Sequence, residues 1–228
     1  MPLPEYFVVI AAAGKSERFG GKNKLLVRVL GKPLLSYTIE RVRKSSAKGF
    51  VLVSNSDFEN EYKSIAARYG GKKFIKAVTG GATRRMSVIN GLEALVGFAS
   101  GDSIVLIHDG ARPLCPPELF DLCAEKAQQS DAAVVAIPVA DTLKAVDNGK
   151  IVSTVERSNL WRAQTPQGFR LDVILKALKQ APDSITDDSQ AIEAMGIKPV
   201  IVRGTAQNMK ITYPEDIKIF EALLRLLA

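Results

Sequence analysis

Short runs of apolar residues alternate along the chain with longer segments in which apolar residues recur every three or four positions. The short runs predict β-strands at Phe7–Ala11, Phe50–Ser54, Phe74–Val78, Ser103–Ile107 and Ala132–Ile137. The longer segments predict helices at Pro33–Lys44, Asp57–Tyr69, Arg84–Phe98 and Pro116–Gln129. Continuously apolar strands joined by amphipathic helices are typical of a parallel sheet covered on both faces. The pattern therefore predicts an α/β fold with its ligands at the carboxyl ends of the strands.

The pattern changes between residues 139 and 161. Two short β-like pieces, Thr142–Val146 and Ile151–Glu156, flank an Asn148-Gly149 pair, which is a strong signal for a hairpin turn. A hairpin is marginally stable alone, so this one is expected to pack on something else. A second protomer would make it a dimerising arm, and the alternative is that it lies along its own domain.

Regular elements resume after the hairpin. They are predicted as helices at Leu171–Gln180 and Asp187–Met195, a strand at Lys198–Val202 and a closing helix at Pro214–Leu227. The sequence contains no repeats and no disordered linker. We therefore predict one Rossmann-like domain over residues 1–228, a mostly parallel sheet with helices on both faces and a protruding β-hairpin arm at 139–161.

Composition narrows the possible partners. The formal net charge of +7, from 31 basic and 24 acidic residues, favours an anionic ligand. There is no basic stripe interleaved with aromatic residues, so no nucleic-acid partner is expected. One histidine and two cysteines, Cys115 and Cys123, are too few for a zinc site or a disulfide framework. Without a signal peptide or a membrane-length apolar stretch, we expect a cytoplasmic protein with no membrane partner.

The loop after the first strand carries the most informative chemistry. Ala12, Ala13 and Gly14 let backbone N–H groups approach an anion, and the cations Arg18 and Lys24 follow. The loop matches neither a P-loop nor a dinucleotide fingerprint, because required glycine positions are filled by other residues. It predicts a triphosphate site, with Lys15 and Lys22 as spare, solvent-facing cations, and the alternative is a flexible basic surface loop.

A second glycine loop follows the third predicted strand. Gly80 and Gly81 allow close backbone approach, and Thr83 is placed to cap the next helix. Arg84 and Ser87 share one face of that helix, where they could read a base edge or hold a ribose. The alternative is a helix cap with exposed arginines.

A carboxylate follows the most apolar strand. Asp109 at that strand end is well placed to hold Mg²⁺, which bridges phosphates, and Arg112 could face a second phosphate. The alternative for Asp109 is a turn or helix cap. His108 is interpreted as a structural hydrogen-bonding residue, because phosphate attack on phosphate requires no proton removal.

Five ordered motifs carry a resemblance to a known family. They are Ala11-Ala12-Ala13-Gly14, His108-Asp109-Gly110-Ala111-Arg112-Pro113, Asp141-Thr142-Leu143-Lys144, Leu160 to Phe169, and Asn208 to Asp216, and Thr186-Asp187-Asp188 also matches. Over almost its whole length the chain resembles the 2-C-methyl-D-erythritol 4-phosphate cytidylyltransferases of the non-mevalonate isoprenoid pathway. The resemblance implies transfer of a cytidylyl group from CTP to a polyol phosphate, with Mg²⁺ as cofactor.

The resemblance also implies roles for individual residues. Arg18 and Lys24 match the catalytic pair at the α-phosphate of CTP. Gly81, Arg84 and Ser87 match the loop that binds the cytidine moiety. The other residues assigned to nucleotide binding are Ala12, Ala13, Gly14 and Gly80. Asp109 matches the carboxylate near Mg²⁺ and Arg112 the sugar-phosphate site. Arg157 and Lys210 match catalytic residues that orient the acceptor, and Thr142, Thr165 and Thr186 match its other contacts. The family's arm crosses a homodimer, so Thr142 and Arg157 would serve the partner's site.

Three positions depart from the family pattern: Asn23 stands for a usual proline, Ala82 for a frequent acidic residue and Gly110 for a frequent alanine. The first departure leaves Lys22 as a competitor of Lys24. A ribitol 5-phosphate cytidylyltransferase is the nearest alternative function. A non-catalytic nucleotide-binding module is an alternative from another class.

Overall fold

The computed structural model describes residues 3–227. Its strands are β1 Tyr6–Ala11, β2 Arg28–Val29, β3 Lys32–Pro33, β4 Gly49–Ser54, β5 Phe74–Thr79, β6 Ile104–Asp109, β7 Ala132–Pro138, β8 Leu143–Asp147, β9 Lys150–Val155, β10 Trp161–Arg170 and β11 Val200–Arg203. Its helices are α1 Leu34–Lys44, α2 Glu59–Gly70, α3 Arg84–Glu93, α4 Pro117–Ser130, α5 Leu171–Gln180, α6 Ser189–Glu193 and α7 Asp216–Leu226.

The central sheet has seven strands in the order β11-β7-β10-β6-β1-β4-β5. All neighbours in it run parallel except β10, which is antiparallel to both β6 and β7. The predicted mostly parallel, Rossmann-like sheet is thus confirmed. Parallel neighbours bring the carboxyl ends of β1, β4, β5 and β6 to one edge.

Helices cover both faces of this sheet, as predicted. Along β1, Val8 and Ile10 pack into one core cluster with α1, α2, α4 and α7, whereas Val9 packs into the other with α3, α5 and α6. All three side chains are fully buried. Side chains alternate between the faces of a strand, so a strand covered on both sides must be apolar at every position.

Strand β10 is absent from the sequence prediction. Trp161–Arg170 carries Gln164, Thr165 and Gln167 around Pro166, and a proline argues against a central strand. The structure accommodates it with a register shift in the β7 pairing between Ala163 and Gln167. Because the hydrogen-bond ladder is interrupted at this point, no N–H is required from Pro166, which has none to donate.

Two helices, α3 and α6, are shorter than predicted by four or more residues, and the closing helix α7 is shorter by three. Helix α3 ends at Glu93 rather than Phe98, because the next residues form tighter turns in which the Leu95 N–H donates to the Leu92 carbonyl at 3.0 Å. Helix α6 spans only Ser189–Glu193, inside the predicted Asp187–Met195. The short β2–β3 pair was also not predicted.

The predicted hairpin is present as strands β8 and β9. Its turn residues Asn148 and Gly149 have φ values of 48° and 77°, the left-handed pair that a two-residue hairpin turn favours. Within residues 3–227 the two strands pair only with each other. Every residue of β9 is exposed, so this hairpin, here called the arm, is not covered by the body of its own chain.

Each helix in the described range is too short or too polar for a bilayer crossing.

Candidate active site

A cavity of about 700 Å³ opens at the carboxyl ends of β1 and β6. Its walls combine the loop after β1, the start of α3, the end of β6 and the segment before α7. The lining residues are Ala11, Ala12, Ala13, Gly14, Lys15, Ser16, Glu17, Arg18, Lys24, Leu25, Gly81, Ala82, Thr83, Arg84, Ser87, Asp109, Ala111, Lys210 and Thr212. Both predicted glycine loops and the strand-end carboxylate therefore line one volume.

The two glycine loops contact each other closely. A Cβ atom at Gly80 would lie 2.3 Å from the Cβ of Ala13, and one at Gly81 would lie 2.4 Å from the Cβ of Met86. The Gly81 N–H donates to Ser87 Oγ at 3.0 Å. These glycines are thus required by the packing of the loops, which brings the first loop against the start of α3.

Arg84 points from α3 toward two carboxylates. It donates two hydrogen bonds of 2.7 Å to Asp188, and its nearest nitrogen lies 3.8 Å from an oxygen of Asp109. Burial opposes the charge of Arg84, but the Asp188 carboxylate outweighs it, so the pKa of the guanidinium is raised. Burial raises the pKa of Asp188, and the contact with Arg84 opposes that shift, so the two form an ion pair. The N-terminus of α3 is capped by Thr83, which accepts from Met86 N–H at 3.2 Å.

Asp109 lies among three cations. Lys210 Nζ is 2.8 Å from its carboxylate and Arg112 Nε is 3.6 Å away, with Arg84 on the other side. Burial acts to raise the pKa of Asp109, but Lys210, Arg84 and Arg112 hold it well below its usual value. Asp109 therefore remains a carboxylate at any physiological pH.

The donor set fits a magnesium ion shared with a substrate. Among residues 3–227 there is no cluster of three or more metal-ligating side chains. Mg²⁺ commonly binds through one or two carboxylates together with substrate phosphates and water. Asp109 as the single carboxylate on the protein side is consistent with such a site.

Lys24 and Arg18 both line the cavity. The Lys24 ammonium donates to the Ile211 carbonyl at 2.8 Å, and burial together with Lys210 lowers its pKa. Lys22 is exposed and lies outside the lining, which favours Lys24 over its competitor. Lys15, predicted to be a spare cation, does line the cavity.

Behind Asp109, a chain of hydrogen bonds runs through the sheet. Thr165 Oγ1 accepts from the Asp109 N–H at 3.0 Å and lies 3.0 Å from His108 Nδ1. His108 Nε2 faces the Arg112 carbonyl at 3.4 Å, and a carbonyl can only accept. Burial lowers the pKa of His108 to about 3, so the imidazole is neutral. Its single N–H is therefore on Nε2, facing the carbonyl, and Nδ1 accepts a hydrogen bond from the Thr165 hydroxyl. The interpretation of His108 as a structural residue agrees with this geometry.

Comparison with known proteins decides the family. The family model for IspD, 2-C-methyl-D-erythritol 4-phosphate cytidylyltransferase, matches residues 6–226. The chain belongs to this family. The enzyme of that name from Bacillus licheniformis is 40% identical over 224 residues, covering 96% of this chain and 95% of its own.

Solved structures agree with the sequence comparison. A crystal structure of 4-diphosphocytidyl-2C-methyl-D-erythritol synthase superposes with a TM-score of 0.83 at 30% identity, covering 97% of this chain and 99% of its own. The 2-C-methyl-D-erythritol 4-phosphate cytidylyltransferase of Thermus thermophilus gives a TM-score of 0.78 at 34% identity, with 97% and 99% covered. As an IspD family member the chain is a nucleotidyltransferase, more narrowly a cytidylyltransferase of isoprenoid biosynthesis.

Not all of the residues inferred from the IspD resemblance meet at the cavity. Gly80, Arg112 and Thr165 lie directly behind its walls, and Arg112 is buried with its guanidinium donating to the Asn208 carbonyl at 2.7 Å. Thr142 and Arg157 are exposed at the arm and line no part of the cavity of their own chain. Thr186 is also exposed and donates from its backbone N–H to Gln190 at 2.7 Å.

Sequence reasoning did not single out several residues of the IspD site. Asp188 was noted only as part of a motif, and Asn208, which donates to the Thr165 carbonyl at 2.8 Å, only as the start of one. Their partners lie tens of residues away in the sequence, and no local pattern signals such pairs.

Proposed function

We propose that this protein transfers a cytidylyl group from CTP to 2-C-methyl-D-erythritol 4-phosphate, giving 4-diphosphocytidyl-2-C-methyl-D-erythritol and pyrophosphate. The observation that carries the proposal is a single cavity that combines the glycine loop, the cations Arg18 and Lys24, and the Asp109–Lys210 pair. Together with membership of the IspD family, this is the charge arrangement that a triphosphate and a second phosphate require.

The reaction needs positioning and charge stabilisation rather than proton removal. A phosphate oxygen of the acceptor attacks the α-phosphorus of CTP in line, a bond forms there, and the bond to pyrophosphate breaks. Negative charge accumulates on the α-phosphate oxygens in the transition state, where Arg18 and Lys24 stabilise it more than in the ground state. Lys210, next to Asp109, orients the acceptor phosphate.

The nucleotide is assigned to the other wall of the cavity. Ala13 and Gly14 offer backbone N–H groups to the triphosphate, whereas the Ala12 N–H already donates to the Val53 carbonyl at 2.9 Å. Arg84 and Ser87 face the cytidine moiety from α3. Gly80 allows the second glycine loop to pack on Ala13 of the first loop, and Gly81 allows it to pack on Met86 of α3. Asp109 would hold Mg²⁺, which supplies charge neutralisation between the phosphates when bound.

The arm supports a homodimer with exchanged arms. Three apolar side chains of the arm are each more than half exposed: Val146, Ile151 and Val152. A group of apolar side chains in contact with water is unfavourable and is typical of a surface that another molecule covers. A second copy that covers them would remove this surface from water. It would also bring Thr142 and Arg157 of one protomer toward the acceptor site of its partner, to which Thr186 is assigned as a further contact. In this proposal residues 1–228 form one nucleotidyltransferase domain, and 139–161 is its dimerisation arm.

Pyrophosphate release tests the proposal. The protein is incubated with CTP and Mg²⁺ and with either methylerythritol 4-phosphate or ribitol 5-phosphate. The expected result is rapid release with the first acceptor only. Faster pyrophosphate release with ribitol 5-phosphate would instead identify a ribitol 5-phosphate cytidylyltransferase. CTP binding without pyrophosphate release with either acceptor would indicate a non-catalytic nucleotide-binding module.

A further inference from the structure

The backbone at Lys24 is fixed by a capping interaction. Lys24–Leu26 form a single 3₁₀ turn, and the side chain of Asn23 caps it by accepting the Leu25 N–H at 3.1 Å. The turn closes with the Val27 N–H donating to the Lys24 carbonyl at 3.2 Å. Leu25 is buried in the core, so the orientation of the turn determines where the Lys24 side chain enters the cavity.

A second donor reaches the same atom of Asn23. The hydroxyl of Tyr62 lies 3.0 Å from Asn23 Oδ1. A backbone N–H can only donate, so the Asn23 atom that faces Leu25 must be the amide oxygen. Tyr62 therefore donates its hydroxyl proton to that oxygen. Burial raises the pKa of Tyr62 to about 12, and the hydroxyl keeps this proton at neutral pH.

Tyr62 belongs to an element outside the cavity. It is fully buried on α2 and stacks with Phe58 at a ring-centroid distance of 6.5 Å. None of the described residues of α2 lines the cavity. The hydroxyl thus joins the packed helix layer to the one turn that carries Lys24.

We propose that Tyr62 is a positioning residue, whose hydroxyl acts through Asn23 to hold the turn that presents the Lys24 ammonium to the triphosphate. The inference rests on the proposed role of Lys24. With the hydroxyl removed, Asn23 still caps Leu25 but rotates more freely, and the Lys24 ammonium spends less time at the reacting phosphate. The loss falls on the transition state, because that is where Lys24 acts most strongly.

The chain provides a matched control for the test. Tyr37 is also a tyrosine on a helix, although it is only partly buried. Its hydroxyl donates to the Val29 carbonyl at 2.6 Å, in a strand that lines no part of the cavity. For Tyr62→Phe we expect kcat to fall about three- to tenfold with the KM for CTP within about twofold, as loss of one such hydrogen bond implies. For Tyr37→Phe we expect unchanged kcat and a similar loss of stability in urea.

A double-mutant cycle separates positioning from general destabilisation. If Tyr62 acts through Lys24, Tyr62→Phe causes no further loss of kcat in a Lys24→Ala background. Asn23→Asp, which keeps an acceptor oxygen, should retain more turnover than Asn23→Leu. Equal kcat for the two tyrosine variants, or an undiminished effect of Tyr62→Phe without Lys24, would overturn the inference. Wild-type turnover of Lys24→Ala would instead contradict the proposed role of Lys24, so the two failures are distinguishable.

Discussion

Arg84 at the start of α3 and Asp188 at the start of α6 are joined by two hydrogen bonds of 2.7 Å, although 104 residues separate them in the chain. Asp188 is completely buried, whereas the Arg84 side chain keeps 37% of its exposure and faces the cavity. The carboxylate thus orients a guanidinium that is available to a ligand. Through this pair, the segment that contains Thr186 is connected to the helix that follows the second glycine loop.

Removing Asp188 should affect both stability and nucleotide binding. For Asp188→Ala we expect a loss of about 3 kcal/mol in the free energy of unfolding, the lower end for a broken buried ion pair because Arg84 retains solvent contact. The KM for CTP should rise about tenfold or more. Urea denaturation and steady-state kinetics measure the two effects.

The neighbouring pair supplies the control. Asp183→Ala breaks the contact with Arg85, but Asp183 is 59% exposed, so its loss should cost less than about 1 kcal/mol. Its KM for CTP should stay close to that of the wild type. Equal effects of the two substitutions would contradict the special position of Asp188.

Lys24→Ala should reduce turnover by about 10²- to 10³-fold, the range for loss of one preorganised electrostatic contact. The fold should survive, because the ammonium bonds only the Ile211 carbonyl at the cavity wall. Pyrophosphate release and circular dichroism check the two statements. Lys22→Ala is the control, since Lys22 is exposed outside the cavity, and a comparable loss there would exchange the roles of the two lysines.

Stability should depend on pH through His108, the one histidine of the chain. Burial lowers the pKa of His108 to about 3 in the folded state, with the Asp109 charge opposing the shift and Arg112 favouring it. Below the unfolded-state pKa of about 6.5, the histidine is therefore protonated in the unfolded chain but remains neutral in the folded protein. As the pH falls from 6.5 to 4.5, this difference at His108 should lower the free energy of unfolding by at most about 1.4 kcal/mol per pH unit.

The variant His108→Asn isolates the histidine, because the carboxylates that also titrate toward pH 4.5 are present in both proteins. Urea unfolding at pH 7, 5.5 and 4.5 measures the slope for each protein. The slope should be smaller in His108→Asn by the contribution of the histidine, and equal slopes in the two proteins would show that other groups are responsible.

Exchange of arms can be tested by mixing two inactive variants. Arg157→Ala would damage the site of the partner, whereas Lys210→Ala would damage the site of its own chain. In a mixed dimer one site then has both residues, so random exchange of subunits should restore about one quarter of wild-type activity. Each variant alone should stay inactive after the same treatment. A mixture without recovery would place Arg157 in its own protomer's site.

The sequence predicted the parts of the molecule that local patterns specify. Apolar strands and amphipathic helices identified the sheet and its two covered faces, and parallel strands necessarily bring Gly14 and Asp109 to the same edge. Asn148-Gly149 identified the arm because both residues tolerate positive φ. These are properties of short stretches, and a single sequence displays them.

Contacts between distant residues were not predictable in this way. Asp188 follows a polar segment that resembles any surface loop, and only the fold shows that it is buried against Arg84. Strand β10 was hidden by Pro166, which its bulge accommodates. Asn23 looked like a departure from the family pattern, and its partner Tyr62 lies on a helix without any chemical signature.

The base of the arm is joined to the central sheet by backbone pairing. Strands β7 and β10 pair as far as Pro138 opposite Trp161, and the Val139 N–H then donates to the Leu160 carbonyl at 3.0 Å. Thr165, which lies four residues after Trp161 in β10, accepts a hydrogen bond from the Asp109 N–H. A second subunit that bound the base of the arm would consequently contact a segment whose position is set by the central sheet, and the same strand fixes the backbone at Asp109.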